Sequence, residues 1–358
     1  MSSNSSKILI VGQGIAGTML SWFFHKNEID FAVIDDQSTK SPSQTSAGLI
    51  NPVTGRRVVT VWLDDTILPF AEKAYIELGQ FLNIEAISKT SIVDFFPNPF
   101  MQESFRKKIS QDAPYISLID EKNYLKELFN YEFEVGAIDP AYIVHLYNII
   151  PAWQKYLAAT NRFIPDTFDF SKLKASSDKI IYNGIEADKI IFCDGVQGQN
   201  NPYFSKLPFA LNKGEALIIE AHEIPSDRIY KKSMALVPFK EKGIFWVGSN
   251  YIWDFEDDQP TEAFRASTEQ NLKSWLNVPF KIIDHKASVR PATIERRPFV
   301  GFHPLHKNVG ILNGLGTKGC SLAPYFANQL TEHIVHNSPI ENDADVNRFS
   351  IILSKEQV

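Results

Sequence analysis

The sequence predicts an α/β protein in which a unit with a parallel sheet is interleaved with an antiparallel insertion. Three observations support this fold class. A strand–turn–helix–strand pattern occupies residues 7–36, segments of alternating polarity lie within residues 216–248, and a strand, a glycine-rich turn and a helix occupy residues 309–336. The length of 358 residues is enough for roughly two domains.

The composition indicates an ordinary globular protein. Hydrophobic residues make up 44% and charged residues 22%, which provides for a sizeable core. The net charge of −6 argues against non-specific binding to nucleic-acid phosphates. Cys193 and Cys320 belong to no CxxC motif or Cys/His cluster, so we expect a reducing, cytoplasmic setting and no metal. No apolar run approaches the about 20 residues of a membrane span.

A glycine turn follows the apolar strand at residues 8–11 and precedes a helix predicted over residues 18–25. In the spacing GxGxxG, the first glycine permits a tight turn, the second lets the backbone approach a pyrophosphate, and the third lets the helix pack closely on the strand. The N–H groups at the helix N-terminus favour a bound phosphate. The residues assigned to this turn are Gly12, Gly14, Ile15, Ala16 and Gly17.

Two carboxylates close the second strand of this unit, at Asp35 and Asp36. A carboxylate in this position accepts a hydrogen bond from a ribose hydroxyl of a dinucleotide. Because side chains alternate along a strand, we expect only one of the two to point at the ribose. The pattern predicts a Rossmann-type dinucleotide site and leaves NAD and FAD open, because both share the ADP half.

The middle of the chain is less regular. An amphipathic helix is predicted over residues 64–81, and residues 38–46 are predicted to form a loop. Residues 83–135 are predicted to be irregular, because prolines at 97, 99 and 114 interrupt them. Asp139 and Pro140 resemble an N-cap and first helical residue, which predicts a helix running to residue 159.

Four further regions, in order, resemble the FAD-dependent oxidoreductases of the D-amino-acid oxidase and glycine oxidase type. The order and spacing of these regions make the resemblance specific, and it extends from residue 7 to about residue 336. The regions are residues 45–52 (TSAGLINP), 136–140 (GAIDP), 187–195 (ADKIIFCDG), and the pair 289–301 (VRPATIERRPFVG) and 313–324 (NGLGTKGCSLAP).

The resemblance implies bound FAD and the oxidation of a primary or secondary amine that carries a carboxylate, by hydride transfer to the flavin. It implies an FAD-binding domain of residues 1–80, 136–206 and 286–358, and an antiparallel-sheet substrate domain of residues 81–135 and 207–285. The further residues expected to contact FAD are Thr45, Ser46, Ala47, Gly48, Asp194, Gly195, Gly314, Gly316, Thr317, Lys318 and Gly319.

Arg290 is the residue expected to bind the substrate carboxylate. It matches the arginine of the family's Arg-Pro motif, and its planar guanidinium offers two parallel N–H donors. The alternative is an arginine in a structural ion pair. Tyr251 follows the antiparallel segment and is a second candidate for substrate contact, with packing on the sheet as its alternative. Lys318 is expected to place positive charge near the flavin or to face solvent.

Two alternative functions stay open on sequence grounds. Residues 313–324 also resemble the FAD-dependent half of bifunctional bacterial enzymes that modify the tRNA wobble uridine, and this interpretation requires a basic channel beside the pocket. An NAD-dependent dehydrogenase is the other alternative, but it leaves residues 314–319 unexplained. A small-molecule amine or amino acid is the expected partner, and nothing in the sequence indicates an oligomeric state.

Overall fold

A computed structural model describes residues 7–355 except for positions 39, 56, 121, 177 and 178. In chain order, its strands are β1 (Ile8–Val11), β2 (Phe31–Asp35), β3 (Leu49–Ile50), β4 (Val53–Thr54), β5 (Val59–Thr60), β6 (Ile87–Phe95), β7 (Ile116–Leu118), β8 (Val135–Val144), β9 (Phe163–Pro165), β10 (Leu173–Ala175), β11 (Ile180–Tyr182), β12 (Ile185–Ala187), β13 (Lys189–Phe192), β14 (Asn212–Glu220), β15 (Ile229–Lys231), β16 (Ala235–Phe239), β17 (Glu241–Gly248), β18 (Lys281–Arg290), β19 (Phe299–Phe302) and β20 (Val309–Asn313).

The described residues also form α-helices. They are α1 (Ile15–Lys26), α2 (Pro42–Thr45), α3 (Asp64–Leu82), α4 (Pro99–Ile109), α5 (Lys122–Leu128), α6 (Leu146–Ala159), α7 (Glu262–Trp275), α8 (Gly319–His336) and α9 (Ser350–Leu353). None of the helices in the described part of the chain is long and apolar enough to cross a membrane.

The first large sheet has six strands in the order β19-β20-β13-β1-β2-β9. Its strands run parallel except for β19, which pairs antiparallel with β20 at the edge. All four residues of β1 are buried, as expected for a central strand covered on both faces. One face packs on α1, α3, α6 and α8, and the other packs on the small sheet β10-β11-β12. This sheet is the predicted dinucleotide-binding unit.

The second large sheet has nine strands, in the order β18-β14-β17-β16-β15-β6-β8-β3 with β7 also paired to β8. Its neighbouring strands are antiparallel except for β15 and β6. One face packs on α5 and α7, and the other carries a separate apolar cluster that includes residues of the segment 47–58. The structure therefore confirms the predicted fold class, a parallel-sheet unit joined to an antiparallel sheet.

Two of the predicted domain boundaries lie within strands of the larger sheet. Position 136 is the second residue of β8, and position 286 lies in the middle of β18. Both strands pair along their length with other strands of that sheet. The division of the chain into two domains stays a prediction.

The prediction of irregular structure over residues 83–135 is wrong. This region contains β6, α4, β7 and α5. Pro99 does not interrupt a helix but begins one, because Asn98 caps α4 by accepting a hydrogen bond from the Met101 N–H at 3.0 Å. The predicted loop at residues 38–46 likewise contains the short helix α2, which begins at Pro42.

The predicted helix start at Asp139 and Pro140 is also wrong. Both residues lie in β8, and the helix α6 begins only at Leu146. The pairing of β8 with β6 shifts register here, so that Asp139 and Pro140 fall between two aligned pairs. A bulge of this kind tolerates proline in a strand, because no ladder hydrogen bond is required from its nitrogen.

The loop after α2 meets the larger sheet at Gly48. The Val144 N–H donates to the Gly48 carbonyl at 2.9 Å, and the Gly48 φ of +75° lies in the left-handed region. A Cβ atom at this position would lie 1.9 Å from the Val144 carbonyl oxygen. Gly48 is therefore required both for its conformation and for the close approach of the two backbones.

We predict that Gly48→Ala lowers the free energy of unfolding by at least about 2 kcal/mol more than Gly184→Ala. Gly184 is a matched control, since its φ is +82° and a Cβ atom on it would have open space, with no neighbouring heavy atom within 4 Å. Both variants suffer the backbone strain, and only Gly48→Ala adds the clash. Urea unfolding of the two variants measures the difference. If both lose the same free energy of unfolding, the Val144 carbonyl moves away from the added methyl group without an energetic cost.

Candidate functional site

The glycine turn between β1 and α1 is built by backbone contacts. A Cβ atom on Gly12 would lie 2.4 Å from the Cys193 carbonyl oxygen, and one on Gly17 would lie 1.9 Å from the Gly12 carbonyl oxygen. Gly12 has a φ of +96°. The turn therefore brings the N-terminus of α1 directly against the ends of β1 and β13, as the spacing of the glycines predicts.

The N-terminus of α1 faces the loop that contains α2. Gly14 is the N-cap, Ile15 and Ala16 are buried, and the Ile15 N–H donates to the Ser43 hydroxyl at 3.0 Å. A Cβ atom on Gly14 would lie 3.2 Å from the same hydroxyl oxygen. The loop thus lies over the positive end of the helix dipole, where phosphate is favoured.

The two carboxylates after β2 have different surroundings. Asp35 accepts hydrogen bonds from the Gln13 N–H at 2.6 Å and the Gln37 N–H at 2.8 Å, whereas Asp36 is exposed and accepts from the Ser38 N–H at 2.9 Å. Burial raises the pKa of Asp35, the two backbone hydrogen bonds oppose that shift, and the charge of Asp36 adds to it. Asp35 is the carboxylate that contacts the glycine turn.

The loop at residues 45–48 connects the two large sheets. The Thr45 hydroxyl donates to the Ser288 hydroxyl of β18 at 2.6 Å, and the Thr45 carbonyl accepts from the Trp246 indole N–H at 2.9 Å. Ser46 accepts from the Gly48 N–H at 3.0 Å, and Ala47 is buried. These contacts fix the loop between the glycine turn and the antiparallel sheet.

Asp194 and Gly195 follow β13 at the same sheet edge as the glycine turn. Asn313, the last residue of β20, donates to the Asp194 carboxylate at 2.8 Å and to the Gly195 carbonyl at 2.9 Å. Asn201 donates to the second Asp194 oxygen at 3.1 Å. Burial raises the pKa of Asp194 to about 6, although hydrogen bonds from Asn201 and Asn313 oppose the shift.

The glycine-rich turn at residues 314–319 leads into α8 and contacts the segment after Arg290. The Gly316 N–H donates to the Pro291 carbonyl at 3.1 Å, and the Gly314 N–H donates to the Asn313 side chain at 2.7 Å. A Cβ atom on Gly319 would lie 3.3 Å from a methyl group of Ile15, so the N-termini of α8 and α1 are adjacent. Thr317 is exposed.

Lys318 lies half-buried in a positively charged neighbourhood. Burial lowers the pKa of its ammonium, and the nearby Arg297 and Arg296 lower it further. Arg297 stacks on Trp62, with its guanidinium carbon 4.1 Å from the ring centroid, and its Nε atom lies 3.7 Å from an Asp343 oxygen. This turn therefore combines a helix N-terminus with three cationic side chains.

Arg290 ends β18 on the face of the sheet that carries Ser288, because residues two apart on a strand share a face. Its guanidinium donates to the Asn212 side chain at 2.8 Å, the Asn250 carbonyl at 3.2 Å and the Ser249 hydroxyl at 2.7 Å. Burial lowers its pKa. Among the residues that the structure describes, no carboxylate oxygen lies within the 4.0 Å of an ion pair.

Tyr251 is 57% exposed, and its ring centroid lies 5.0 Å from the guanidinium carbon of Arg290. Both predicted substrate residues therefore lie together, and the neighbours of Arg290 in the chain contact the loop at residues 45–48, through Ser288, and the turn at residues 314–316, through Pro291. No group of three or more His, Cys, Asp or Glu side chains suited to a metal is present in the described parts of the chain.

This geometry agrees with the comparison to known protein families. A family model for DAO, described as FAD-dependent oxidoreductase, matches residues 7–333. The chain belongs to this DAO family. Its membership confirms the predicted family and the predicted cofactor: the protein is an FAD-binding oxidoreductase rather than an NAD-dependent dehydrogenase.

Solved structures of similar fold support the same architecture. An iminodiacetate oxidase from a Chelativorans species is 17% identical, with a TM-score of 0.78, over 94% of this chain and 98% of that one. A glycine oxidase from Geobacillus kaustophilus is 15% identical, with a TM-score of 0.78, over 99% and 100%. A glycine oxidase from Bacillus cereus is 14% identical, with a TM-score of 0.79, over 99% of each chain.

The residues present in this DAO-family chain fit a dinucleotide such as FAD. Gly12 and Gly17 leave no room for side chains, α1 presents its N-terminus at the turn, and Asp35 ends the neighbouring strand. The sequence reasoning missed the residues that hold this site together. They are Ser43, which meets α1, Asn313, which joins β13 to β20, Ser288, which meets Thr45, and Asn212 and Ser249, which hold Arg290.

We predict that the stability of the protein depends on pH through Asp194. Its folded pKa of about 6 lies above its ordinary value of 3.8, so the protonated form is favoured in the folded state. This contribution is complete below pH 4 and is lost as the pH rises through about 6, by roughly 3 kcal/mol.

The measurement is urea unfolding of the wild-type protein and Asp194→Asn between pH 4 and pH 7, at equal FAD concentration. We expect the unfolding free energy of the wild type, relative to that of the variant, to fall over this range. A difference that does not change with pH would contradict the raised pKa of Asp194.

Proposed function

We propose that this protein oxidises an amine that carries a nearby carboxylate, and that Arg290 binds the carboxylate. The observation that supports the proposal is a half-buried guanidinium held by three uncharged acceptors. Its three hydrogen bonds use three of the five N–H donors of arginine, so two donors stay available for a ligand. A carboxylate matches such a pair of donors in charge and shape.

The surroundings of Arg290 support a substrate site. Arg290 shares a sheet face with Ser288, which contacts Thr45, and it directly precedes Pro291, which contacts Gly316. A carboxylate bound at Arg290 is therefore held where the antiparallel sheet meets both the loop at residues 45–48 and the turn at residues 314–316. Positioning of this kind lowers the entropic part of the reaction barrier.

FAD, when bound, would accept a hydride, with its two electrons, from the C–H bond beside the amine nitrogen, which leaves an imine. We assign its pyrophosphate to the glycine turn and the N-terminus of α1, and its adenosine ribose to Asp35. The N–H groups at residues 316–319 and the Lys318 ammonium would lie near the pyrimidine edge of the flavin. Their positive charge would stabilise negative charge that develops there.

The names of the structurally similar proteins are consistent with this substrate class. Iminodiacetate oxidase and glycine oxidase are named for compounds in which an amine and a carboxylate lie close together. Their identity to this chain is 14% to 17%, so the support for the substrate rests on Arg290 and its surroundings. A tRNA substrate stays the alternative prediction, and the experiment below separates the two.

An anaerobic absorbance titration of the FAD-loaded protein tests the proposal. Glycine, sarcosine, other N-alkyl glycines, and D- and L-amino acids are added in turn. We expect at least one of them to bleach the flavin absorbance, because it transfers electrons to FAD. If none of them does so while dithionite still bleaches the flavin, the proposed class of substrate is wrong and weight shifts to the RNA alternative.

The Arg290→Met variant tests the assigned carboxylate contact with the substrate found in that titration. We expect KM to rise by at least about 30-fold, because the loss of a buried charge contact costs about 2 kcal/mol or more. Arg265→Met is the control, since Arg265 lies on α7 and that helix packs on the opposite face of the sheet. If the two variants have equal KM values, Arg290 does not bind the substrate carboxylate.

A second prediction concerns the ribose contact. We expect Asp35→Asn to weaken FAD binding by about 10–100-fold, because a hydrogen bond to a charged group contributes about 1.5–3 kcal/mol. Asp36→Asn is the matched control and should change the FAD dissociation constant by less than about threefold, since Asp36 is exposed and its carboxylate accepts from the Ser38 N–H of its own loop. Fluorescence titration of apoprotein with FAD measures both, and the opposite order would assign the ribose to Asp36.

A further inference from the structure

Arg290 lies opposite a buried amide in the larger sheet. Asn212 begins β14 and is paired directly with Arg290 at the end of β18. Asn212 is 1% exposed, and its Oδ1 atom accepts from the Arg290 Nη1 atom at 2.8 Å. Directly opposed residues of an antiparallel pair lie on the same face, so this contact follows from the strand register.

The guanidinium also lies over β14 itself. A Cβ atom on Gly214 would lie 1.7 Å from the Arg290 Nη2 atom, so any side chain at position 214 would displace the guanidinium. Ser249 and the Asn250 carbonyl hold it from the β17 side. The position of the guanidinium is thus determined by the ends of three neighbouring strands.

The acceptors around Arg290 contrast with those of two other half-buried arginines in the described residues. Arg348 lies 3.2 Å from a Glu295 carboxylate oxygen, and Arg297 lies 3.7 Å from an Asp343 oxygen. Arg290 meets only an amide, a hydroxyl and a carbonyl. An aspartate at position 212 would supply the same acceptor geometry and would cancel the charge.

We propose that Asn212 is a positioning residue, which holds the Arg290 guanidinium in place with an uncharged acceptor and so leaves its charge free to bind a carboxylate. This role rests on the proposed function of Arg290. It predicts that the charge at position 212, and not only the hydrogen bond, determines how tightly the protein binds carboxylates.

The test compares Asn212→Asp and Asn212→Ala in the FAD-loaded protein, with acetate as the probe. Acetate binding is followed at constant ionic strength by calorimetry and by the flavin absorbance. Asn271→Asp is the control, since Asn271 is exposed on α7 and the substitution adds the same charge. Urea unfolding and flavin content are measured for all three variants.

We expect Asn212→Asp to weaken acetate binding by about 30-fold or more and Asn212→Ala by about three- to tenfold. The order of stability should be the reverse, because aspartate keeps the acceptor for Arg290 and alanine removes it. If the role of Asn212 were purely structural, Asn212→Asp would reduce both acetate binding and stability less than Asn212→Ala does. Asn271→Asp should bind acetate as the wild type does.

Two outcomes would overturn the proposal, and they differ in what else they contradict. If the wild type binds acetate and Asn212→Asp binds it equally well, the role of Asn212 is wrong and the function proposed for Arg290 stands. If the wild-type holoprotein does not bind acetate in either measurement, a carboxylate site at Arg290 is contradicted, and the role of Asn212 falls with it.

Discussion

The junction between the two large sheets depends on the loop that runs from Ser43 to Gly48. Ser43 meets the N-terminus of α1, Thr45 meets Ser288 and Trp246 of the antiparallel sheet, and Gly48 meets Val144. Each of these contacts is a hydrogen bond made by a short side chain or by the backbone, so the loop has little freedom to shift. The glycine turn and Arg290 belong to different sheets, and this loop contacts both sheets.

The charges of the site are arranged along the same junction. The Asp35 carboxylate lies at the end of β2, Arg290 lies at the end of β18, and Lys318 lies in the turn that leads into α8. Burial works against all three charges, since it raises the pKa of Asp35 and lowers the pKa of Arg290 and Lys318. Sites that bind ligands commonly carry groups perturbed in this way. A bound ligand with a cationic or hydroxyl group near Asp35 and anionic groups near Arg290 and Lys318 would offset the cost of burying these three charges.

The local parts of this site follow from the sequence, and the parts that depend on pairing across long separations do not. Gly12, Gly14 and Gly17 act within one turn, so their spacing is sufficient to predict their geometry. Asp139 and Pro140 carry the signature of a helix start, but the residues on both sides of them pair with β6, about 50 residues earlier in the chain, so both lie in β8. Asn212 and Arg290 are 78 residues apart, and only the register of β14 and β18 brings them together.

An unpaired guanidinium in a half-buried position opposes folding, because desolvation of its charge is not offset by an anion. The structure reduces this cost with three uncharged acceptors and with the ring of Tyr251, which faces the guanidinium at 5.0 Å. A carboxylate partner from the protein would reduce it further, but the same pairing would compete with any carboxylate ligand. A ligand that completes the ion pair binds the folded state alone, and it therefore stabilises the fold as it binds. In the proposed function, the affinity for carboxylates would therefore come from a charge that the fold holds in place and does not neutralise.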